Sequence, residues 1–168
     1  CADVEKWFEP TDEPELLGVL GGYDIMEFIG RGGMGVVFRG RDRSLDRTVA
    51  IKVLAPSLAT NHTSRERFLR EARSAAAINH ANVATVHAVE ESAQLPYLVM
   101  EYVEGESLRQ RLDQVGRLEL KEIIRVGYQV ASGLDAAHAQ GIVHRDIKPG
   151  NILLETATRR ARLTDFGL

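Results

Sequence analysis

The chain has 168 residues, an apolar fraction of 44%, a charged fraction of 27% and a formal net charge of −3 at pH 7. These values are typical of one soluble globular domain with a hydrophobic core, and the weak negative charge gives no reason to expect nucleic acid or an anionic membrane as a partner. The single cysteine, Cys1, excludes an internal disulfide, and no apolar run approaches the length of a transmembrane helix, so we expect a cytoplasmic location and no membrane contact from this segment.

Residues 1–22 differ in composition from the rest of the chain. The first 21 residues hold six acids and one lysine, together with Pro10 and Pro14. Such a segment favours solvated conformations over a packed core. We therefore predict an acidic, flexible leader over 1–22, in which Trp7-Phe8 and Leu16-Leu17 at most dock on the folded body.

From Tyr23 to about Tyr102 the pattern predicts an antiparallel sheet with one helix. Five segments read as strands: Tyr23 to Ile29, Val36 to Arg41, Thr48 to Leu54, Val83 to Glu90 and Tyr97 to Tyr102. A glycine cluster and the polar turn Asp42 to Arg47 separate the first three strands, and such short connections favour hairpins. The helix is predicted to begin after an N-cap at Thr63, with Glu66 completing a capping box, and to end at about Asn79.

The remainder of the chain is predicted to be mainly helical. Ser107 is a plausible N-cap, and Gly116 a stop, for a first helix. A longer helix should end before Gly141, and it carries at helical spacing Ile123, Ile124, Gly127, Val130, Leu134 and His138. Two short strands follow, Ile152 to Leu154 and Ala161 to Leu163. The simplest interpretation of the arginines in and after the turn between them is that they are solvated: Arg159, Arg160 and Arg162. The predicted fold class is therefore α+β, with a sheet-rich part over 23–103 and a helical part over 104–168.

The segment Gly30-Arg31-Gly32-Gly33-Met34-Gly35 matches the pattern G-x-G-x-x-G. A dinucleotide-binding turn would need a helix directly afterwards, whereas Gly35 leads into a predicted strand, so this interpretation is disfavoured. Two interpretations remain. One is a glycine-rich hairpin without a ligand, and the other is a loop whose bare backbone amides approach phosphate oxygens closely.

A lysine and a glutamate stand out because each falls on an apolar surface. Lys52 ends the strand Val49-Ala50-Ile51, and Glu71 lies within the predicted apolar face of the helix, about 60° around the axis from Phe68. A buried carboxylate is costly unless a cation meets it, so we expect Lys52 to pair with Glu71. The alternative is that Glu71 reaches solvent or pairs with Arg67 on its own helix.

Two aspartates and an asparagine near the end of the chain have the spacing that metal-assisted phosphoryl transfer needs. Asp146 and Asn151 lie five residues apart on a loop broken by Pro149 and Gly150, and Asp165 follows the last predicted strand. Amide and carboxylate oxygens suit Mg²⁺ when phosphate oxygens complete its coordination. The alternative is that both aspartates are ordinary turn residues. We expect His144 to be structural, packing beneath this loop.

Taken in order, these motifs resemble those of the eukaryotic-like (Hanks-type) serine/threonine protein kinases over about Tyr23 to Leu168, and the wording Gly-Gly-Met-Gly and Lys-Pro-Gly-Asn is similar to the bacterial branch. The resemblance implies a protein-kinase-like fold, with a five-stranded antiparallel N-lobe, one major helix and the first part of a helical C-lobe. It also implies ATP and Mg²⁺ as cofactors and protein substrates bearing Ser or Thr. It allows dimerisation of the parent protein and an anchor beyond Leu168.

The same resemblance assigns roles to residues of this chain. Asp146 would be the catalytic base, Lys148 would contact the γ-phosphate, and Lys52 braced by Glu71 would hold the α- and β-phosphates. Asn151 and Asp165 would be the metal ligands. The residues implied to contact ATP are Ile29, Gly30, Gly32, Gly33, Gly35, Val37, Ala50, Lys52, Met100, Glu101, Val103 and Leu153.

The elements that follow Asp165-Phe166-Gly167 in the family, including the activation segment that seats a peptide, do not occur in these 168 residues. We therefore expect a fragment that binds nucleotide weakly and does not phosphorylate protein efficiently, with Ile123, Val130 and Leu134 partly uncovered. Two other functions remain open for the parent: a small-molecule phosphotransferase of related fold, and a pseudokinase or nucleotide-binding scaffold.

Overall fold

The computed structural model describes residues 5–91 and 95–166, so the predictions that fell on Cys1 and Gly167 lie outside the described residues. The described chain divides into two compact units. The first unit contains the residues up to Arg70 together with Val86–Tyr102, and the second contains Glu71–Thr85 together with the residues from Val103 onward. The second unit thus includes residues 71–85, which the sequence-based division assigns to the sheet-rich part.

The first unit is built on a six-stranded sheet. Its strands are β1 (Gly18–Leu20), β2 (Tyr23–Arg31), β3 (Gly35–Asp42), β4 (Arg47–Leu54), β5 (Val86–Glu90) and β6 (Tyr97–Glu101), in the spatial order β1-β2-β3-β4-β6-β5. Every neighbouring pair is antiparallel. The five predicted strands are confirmed, but β5 begins at Val86 rather than Val83 because the backbone at Val83 and Ala84 pairs with Leu163 instead.

The sixth strand, β1, comes from the segment that the sequence predicts to be a flexible leader. Gly18 pairs with Ile25 of β2, and Glu9 and Val19 exchange backbone hydrogen bonds of 2.8 and 2.9 Å. Phe8 is buried in the core of the sheet, with its ring edge-on to Phe38 and 5.0 Å between the ring centroids. The docking that the sequence allowed for Phe8 is thus found, whereas the prediction of a flexible segment is wrong for Glu9 and Gly18–Leu20, because strand pairing outweighs the acidic composition.

Two helices follow β4 in the chain, α1 (Pro56–Ala59) and α2 (His62–Ala76). The N-cap of α2 is Asn61, whose side-chain oxygen accepts a hydrogen bond of 3.0 Å from the backbone N–H of Ser64. The predicted capping box of Thr63 and Glu66 is therefore wrong, since the helix already includes Thr63 in its first turn. The short helix α1, with its proline at the first helical position, was not predicted.

The second unit combines a three-stranded antiparallel sheet with two helices. The sheet has the order β7 (Gly105–Ser107), β8 (Ile152–Glu155) and β9 (Ala161–Leu163), and the helices are α3 (Leu108–Val115) and α4 (Leu120–Ala139). Ser107 is the N-cap of α3 and forms a reciprocal capping box with Gln110, and Gly116 ends the helix with a φ of 75°. Both predictions are confirmed, as is the β8–β9 hairpin, whereas the three-residue β7 was not predicted.

Helix α4 positions strand β9 through its buried side. Gln129 accepts a hydrogen bond of 2.7 Å from the backbone N–H of Ala161, and a Cβ at Gly133 would lie 2.9 Å from the carbonyl oxygen of Asn82. Asn82 in turn donates to the carbonyl of Ala161 at 2.8 Å. The strand that leads to Asp165 is thus fixed by side chains on both sides.

The other side of α4 carries exposed apolar residues: Leu120, Ile123, Ile124 and Tyr128. Ile123 is uncovered as expected, while Val130 and Leu134 are half-buried. Within residues 5–91 and 95–166, no helix combines the length and the apolar character needed to cross a membrane.

Candidate active site

Four of the residues implied to contact ATP lie on one face of the first unit's sheet. The strand register pairs Val37 with Lys52 and Ala50 with Met100, and directly paired residues of antiparallel strands point to the same side. Residues 50 and 52 are two apart on β4, so all four side chains share this face. The opposite face carries the core around Phe38. The register alone therefore collects Val37, Ala50, Lys52 and Met100 on a common surface.

The glycine-rich loop joins β2 to β3 and is closed by a 2.8 Å hydrogen bond from the N–H of Gly32 to the carbonyl of Gly35. Gly35 is required by the fold, because a Cβ there would lie 2.1 Å from the carbonyl oxygen of Val53. At Gly30, Gly32 and Gly33, by contrast, an added Cβ would meet no described atom within 4 Å, and none of the three has a positive φ. Packing and backbone conformation in the described residues therefore do not explain these three glycines. The space left open suits a loop whose amides approach phosphate oxygens.

The other residues implied to contact the adenine are distributed over the two units. In the first unit, Ile29 is the extra residue of a β-bulge in β2 and is exposed, and Glu101 ends β6 opposite Val49. In the second unit, Val103 is buried and Leu153 of β8 is half-buried. Bulges re-aim side chains at the edges of binding sites, which explains why strand alternation alone does not place Ile29.

Lys52 is 2% exposed and lies on β4 between Val37 of β3 and Leu98 of β6. Burial of an ammonium group is unfavourable unless a partner compensates its charge. Glu71, the predicted partner, is a half-buried residue of α2 and belongs to the second unit. The pairing of Lys52 with Glu71 stays a prediction.

In the second unit, the structure brings together Asp146, Lys148 and Asn151. Lys148 Nζ lies 2.6 Å from Asp146 Oδ2, and Asn151 Nδ2 donates to the same carboxylate oxygen at 3.0 Å and to the backbone carbonyl of Asp146 at 2.9 Å. The hydrogen bond from Lys148 is the main cause that holds the pKa of Asp146 below its usual range, with Asn151 contributing in the same direction. The carboxylate is therefore ionised at neutral pH, and the two hydrogen bonds that it accepts fix its orientation.

His144 supports this loop from below, as predicted. Its side chain is fully buried, Nε2 donates to the carbonyl of Thr164 at 2.9 Å, and Nδ1 accepts the backbone N–H of Asp146 at 3.3 Å. These two bonds require the neutral imidazole with its proton on Nε2. Burial lowers the pKa of His144, which favours this neutral form. The ring also packs on Phe166, with centroids 4.5 Å apart.

Asp165 follows β9 in the left-handed region, with a φ of 59°. The preceding Thr164 donates its N–H to the carbonyl of Asn151 at 3.0 Å, which connects the end of β9 to the loop that carries Asp146 and Asn151. Thr164 was not singled out from the sequence. Its hydroxyl also donates to the carbonyl of Asn151, at 3.5 Å, but a single threonine after a strand gives no signal for this contact in the sequence.

The chemistry of the donor set fits a hard divalent cation. Because Nδ2 of Asn151 faces Asp146, its side-chain oxygen is the atom available to a cation, and Asp165 adds a carboxylate. Within the described ranges, no three His, Cys, Asp or Glu side chains are grouped so that they could hold a metal ion by themselves. A cation bound to Asn151 and Asp165 would therefore need oxygens from a substrate, as is usual for Mg²⁺ with nucleotide phosphates.

Comparison with known proteins identifies the class. The family described as "Protein kinase domain" matches residues 23–168. The chain is 43% identical over 153 residues to the serine/threonine-protein kinase PknA of Mycobacterium tuberculosis, covering 88% of this chain and 35% of PknA. It is 41% identical over 150 residues to the serine/threonine-protein kinase PrkC of Bacillus subtilis, covering 89% of this chain and 23% of PrkC.

Among solved structures, the chain is similar to the kinase domain of Mycobacterium tuberculosis PknI. The TM-score is 0.78 at 32% sequence identity, and the match covers 89% of this chain and 61% of that chain. The protein-kinase-like fold predicted from the motifs is confirmed, with a sixth strand added to the predicted five. The chain belongs to the protein kinase domain family, and it spans about a third or less of the length of these curated relatives.

Proposed function

We propose that the protein containing this domain transfers the γ-phosphate of ATP to Ser and Thr hydroxyls of protein substrates. The main support for the proposal is that the Asp146 carboxylate accepts hydrogen bonds from Lys148 Nζ at 2.6 Å and from Asn151 Nδ2 at 3.0 Å. The serine/threonine-protein kinases that match this chain support the choice of acceptor.

In this reaction, Asp146 orients the acceptor hydroxyl and takes its proton. The hydroxyl oxygen forms a bond to the γ-phosphorus while the bond from that phosphorus to the β,γ-bridging oxygen breaks, and ADP leaves. A carboxylate whose pKa is lowered is a weak base. It therefore suits a loose transition state, in which the hydroxyl loses its proton late.

The nucleotide is held by the remaining residues. Lys52 neutralises the α- and β-phosphates, braced by Glu71, and the backbone approaches the phosphate oxygens at Gly30, Gly32 and Gly33, where no side chain intervenes. Lys148 can exchange its bond to Asp146 for one to the γ-phosphate, since its side chain is more than half exposed. Asn151 and Asp165 hold Mg²⁺, which neutralises charge on the β- and γ-phosphates when bound.

The test is phosphate transfer from radiolabelled ATP by the intact protein. We expect Ser and Thr of casein or a peptide library to be labelled, and Asp146→Asn to lower kcat by roughly 10²–10⁴ while nucleotide binding remains. Lys148→Met should also lower kcat, whereas a surface control, Arg109→Gln, should not. Labelling of an aminoglycoside instead of protein would replace the proposal with a small-molecule phosphotransferase. Nucleotide binding without any transfer would replace it with a scaffold.

For the 168-residue chain by itself, we propose weak nucleotide binding and inefficient transfer. This is supported by the exposed apolar side chains on α4, including Leu120, Ile123 and Tyr128, since full burial of a leucine or isoleucine side chain contributes about 1.5–3 kcal/mol. Peptide phosphorylation by the purified chain that Asp146→Asn abolishes would contradict this part of the proposal.

A further inference from the structure

Three arginines from three elements of the second unit surround one carboxylate. Arg111 lies on α3, Arg125 on α4 and Arg159 in the β8–β9 turn, and their nitrogens lie 3.9, 3.5 and 3.6 Å from Glu122 Oε1. We name this group the Glu122 arginine cluster. The sequence predicts Arg159 to be simply solvated, and its side chain is indeed exposed, but its proximity to Glu122 was not predicted.

The cluster has more positive charge than its carboxylate compensates. In the part of the chain that the structure describes, Glu122 is the only acid within ion-pair distance of these three arginines. Three guanidinium groups and one carboxylate leave a formal charge of about +2 at one place. This is unlike the chain as a whole, which is slightly acidic.

The donors of the cluster are also poorly satisfied. The distances of 3.5–3.9 Å exceed those of a good N–H···O hydrogen bond. Among the described residues, the Nε atoms of Arg111 and Arg125 and Oε1 of Glu122 are buried without a hydrogen-bond partner. Buried polar groups in folded proteins are normally paired, so a ligand could use the donors that remain here.

The cluster is open on one side. The side chain of Glu122 is 15% exposed, whereas those of Arg125 and Arg159 are 37% and 50% exposed. Arg159 has a φ of 58°, a conformation that non-glycine residues rarely adopt, and its N–H donates to the carbonyl of Glu155 at 2.8 Å. The turn therefore holds the backbone of an arginine at a position where Gly or Asn is usual.

We propose that the Glu122 arginine cluster binds a phosphate monoester dianion. Such a group carries a charge of about −1.5 to −2 and three terminal oxygens, which match the excess charge and the three separate guanidinium donors. A carboxylate would leave part of the charge uncompensated, and a phosphodiester carries a single negative charge. The proposal goes beyond ATP-dependent transfer and does not depend on it.

The proposal predicts opposite changes in phosphate affinity when the carboxylate and when an arginine of the cluster is replaced. Glu122 competes with the ligand for the arginines, so Glu122→Gln should strengthen binding by about fivefold, and Arg159→Gln should weaken it by roughly tenfold. Arg109→Gln is the matched control, because this exposed arginine lies in the same unit but pairs with Asp113. It should leave the affinity unchanged.

The experiment uses the intact protein, with calorimetry against inorganic phosphate and against a phosphoserine peptide and its unphosphorylated form at constant ionic strength. Tighter binding of the peptide than of inorganic phosphate would identify a phosphorylated side chain as the ligand, and the reverse would identify free phosphate. Equal weakening by Arg159→Gln and Arg109→Gln, or weaker binding by a folded Glu122→Gln variant, would overturn the proposal.

Glu122→Gln leaves three arginines without their carboxylate and can destabilise the unit by itself. Thermal melts of this variant with and without phosphate therefore form a second readout. The proposed site predicts that phosphate raises the melting temperature of Glu122→Gln more than that of the wild type. A network that only connects α3, α4 and the β8–β9 turn predicts equal shifts.

Discussion

The two units position their candidate functional residues by different means. In the first unit, the paired backbones of β3, β4 and β6 place Val37, Ala50 and Lys52 on one face of the sheet. Individual side chains contribute little to this arrangement. It should tolerate substitutions as long as the strands pack, because hydrogen bonds between strand backbones do not depend on residue type.

In the second unit, the loop around Asp146 is not held by paired strand backbones. It is held by the side chains of His144 and Asn151, and Arg145 and Asp165 on either side have φ values of 65° and 59°. Left-handed residues of this kind are unfavourable by roughly 1–2 kcal/mol each. The comparison indicates that changes to the first unit act through packing, while changes to the second act through single hydrogen bonds and protonation.

The largest effect is expected where the packing of the first unit depends on its N-terminal segment. Phe8→Ala should lower the free energy of unfolding by about 3 kcal/mol, because it removes a buried ring that contacts Phe38. Urea unfolding measures this change. Glu9→Gln is the control, since the Glu9 side chain is exposed and its strand contacts are made by the backbone. A loss below about 1 kcal/mol for Phe8→Ala would mean that the segment is not part of the core.

A smaller effect on stability is expected in the glycine-rich loop, where two substitutions distinguish a glycine required for packing from one that packing does not explain. Gly35→Ala should lower the free energy of unfolding by about 2 kcal/mol, because the added Cβ meets the backbone oxygen of Val53. Gly32→Ala should change it by less than about 0.5 kcal/mol, since the space is open.

ATP titration completes this comparison. Gly32→Ala should weaken binding roughly tenfold if the loop amides approach the phosphates. Unchanged affinity for Gly32→Ala would support the alternative of a glycine-rich hairpin without a ligand.

The same contrast explains what could be predicted from the sequence. The strands around Lys52 and the motifs around Asp146 have strong local patterns, so the fold class and the residue types of the candidate site were predicted. Docking of Phe8 was allowed for, but strand β1 was not predicted, because two prolines and six acids dominate the composition of the segment. Asn61 and Thr63 are both good N-cap types, and only the geometry of the first turn decides between them. The bond from Lys148 to Asp146 and the position of Arg159 depend on turn conformations that the sequence does not specify.

The smallest expected effect is a change of stability with pH that is caused by protonation of His144 in the second unit. Burial lowers the pKa of His144 below the value of about 6.5 expected in the unfolded chain. The unfolded state therefore binds this proton more readily. The contribution of His144 to stability is complete above about pH 6.5 and decreases as the pH falls below it, with a slope of at most about 1.4 kcal/mol per pH unit.

Urea unfolding of the wild type and of His144→Gln between pH 7.5 and pH 5 measures this contribution. The stability difference between the two proteins should shrink as the pH falls, because protonation removes the bond in which Nδ1 accepts the N–H of Asp146. His138→Gln, which removes an exposed histidine from α4, is the control and should follow the wild type. A difference that stays constant over this range would show that the loop is held by packing, as in the first unit, and not by the neutral imidazole.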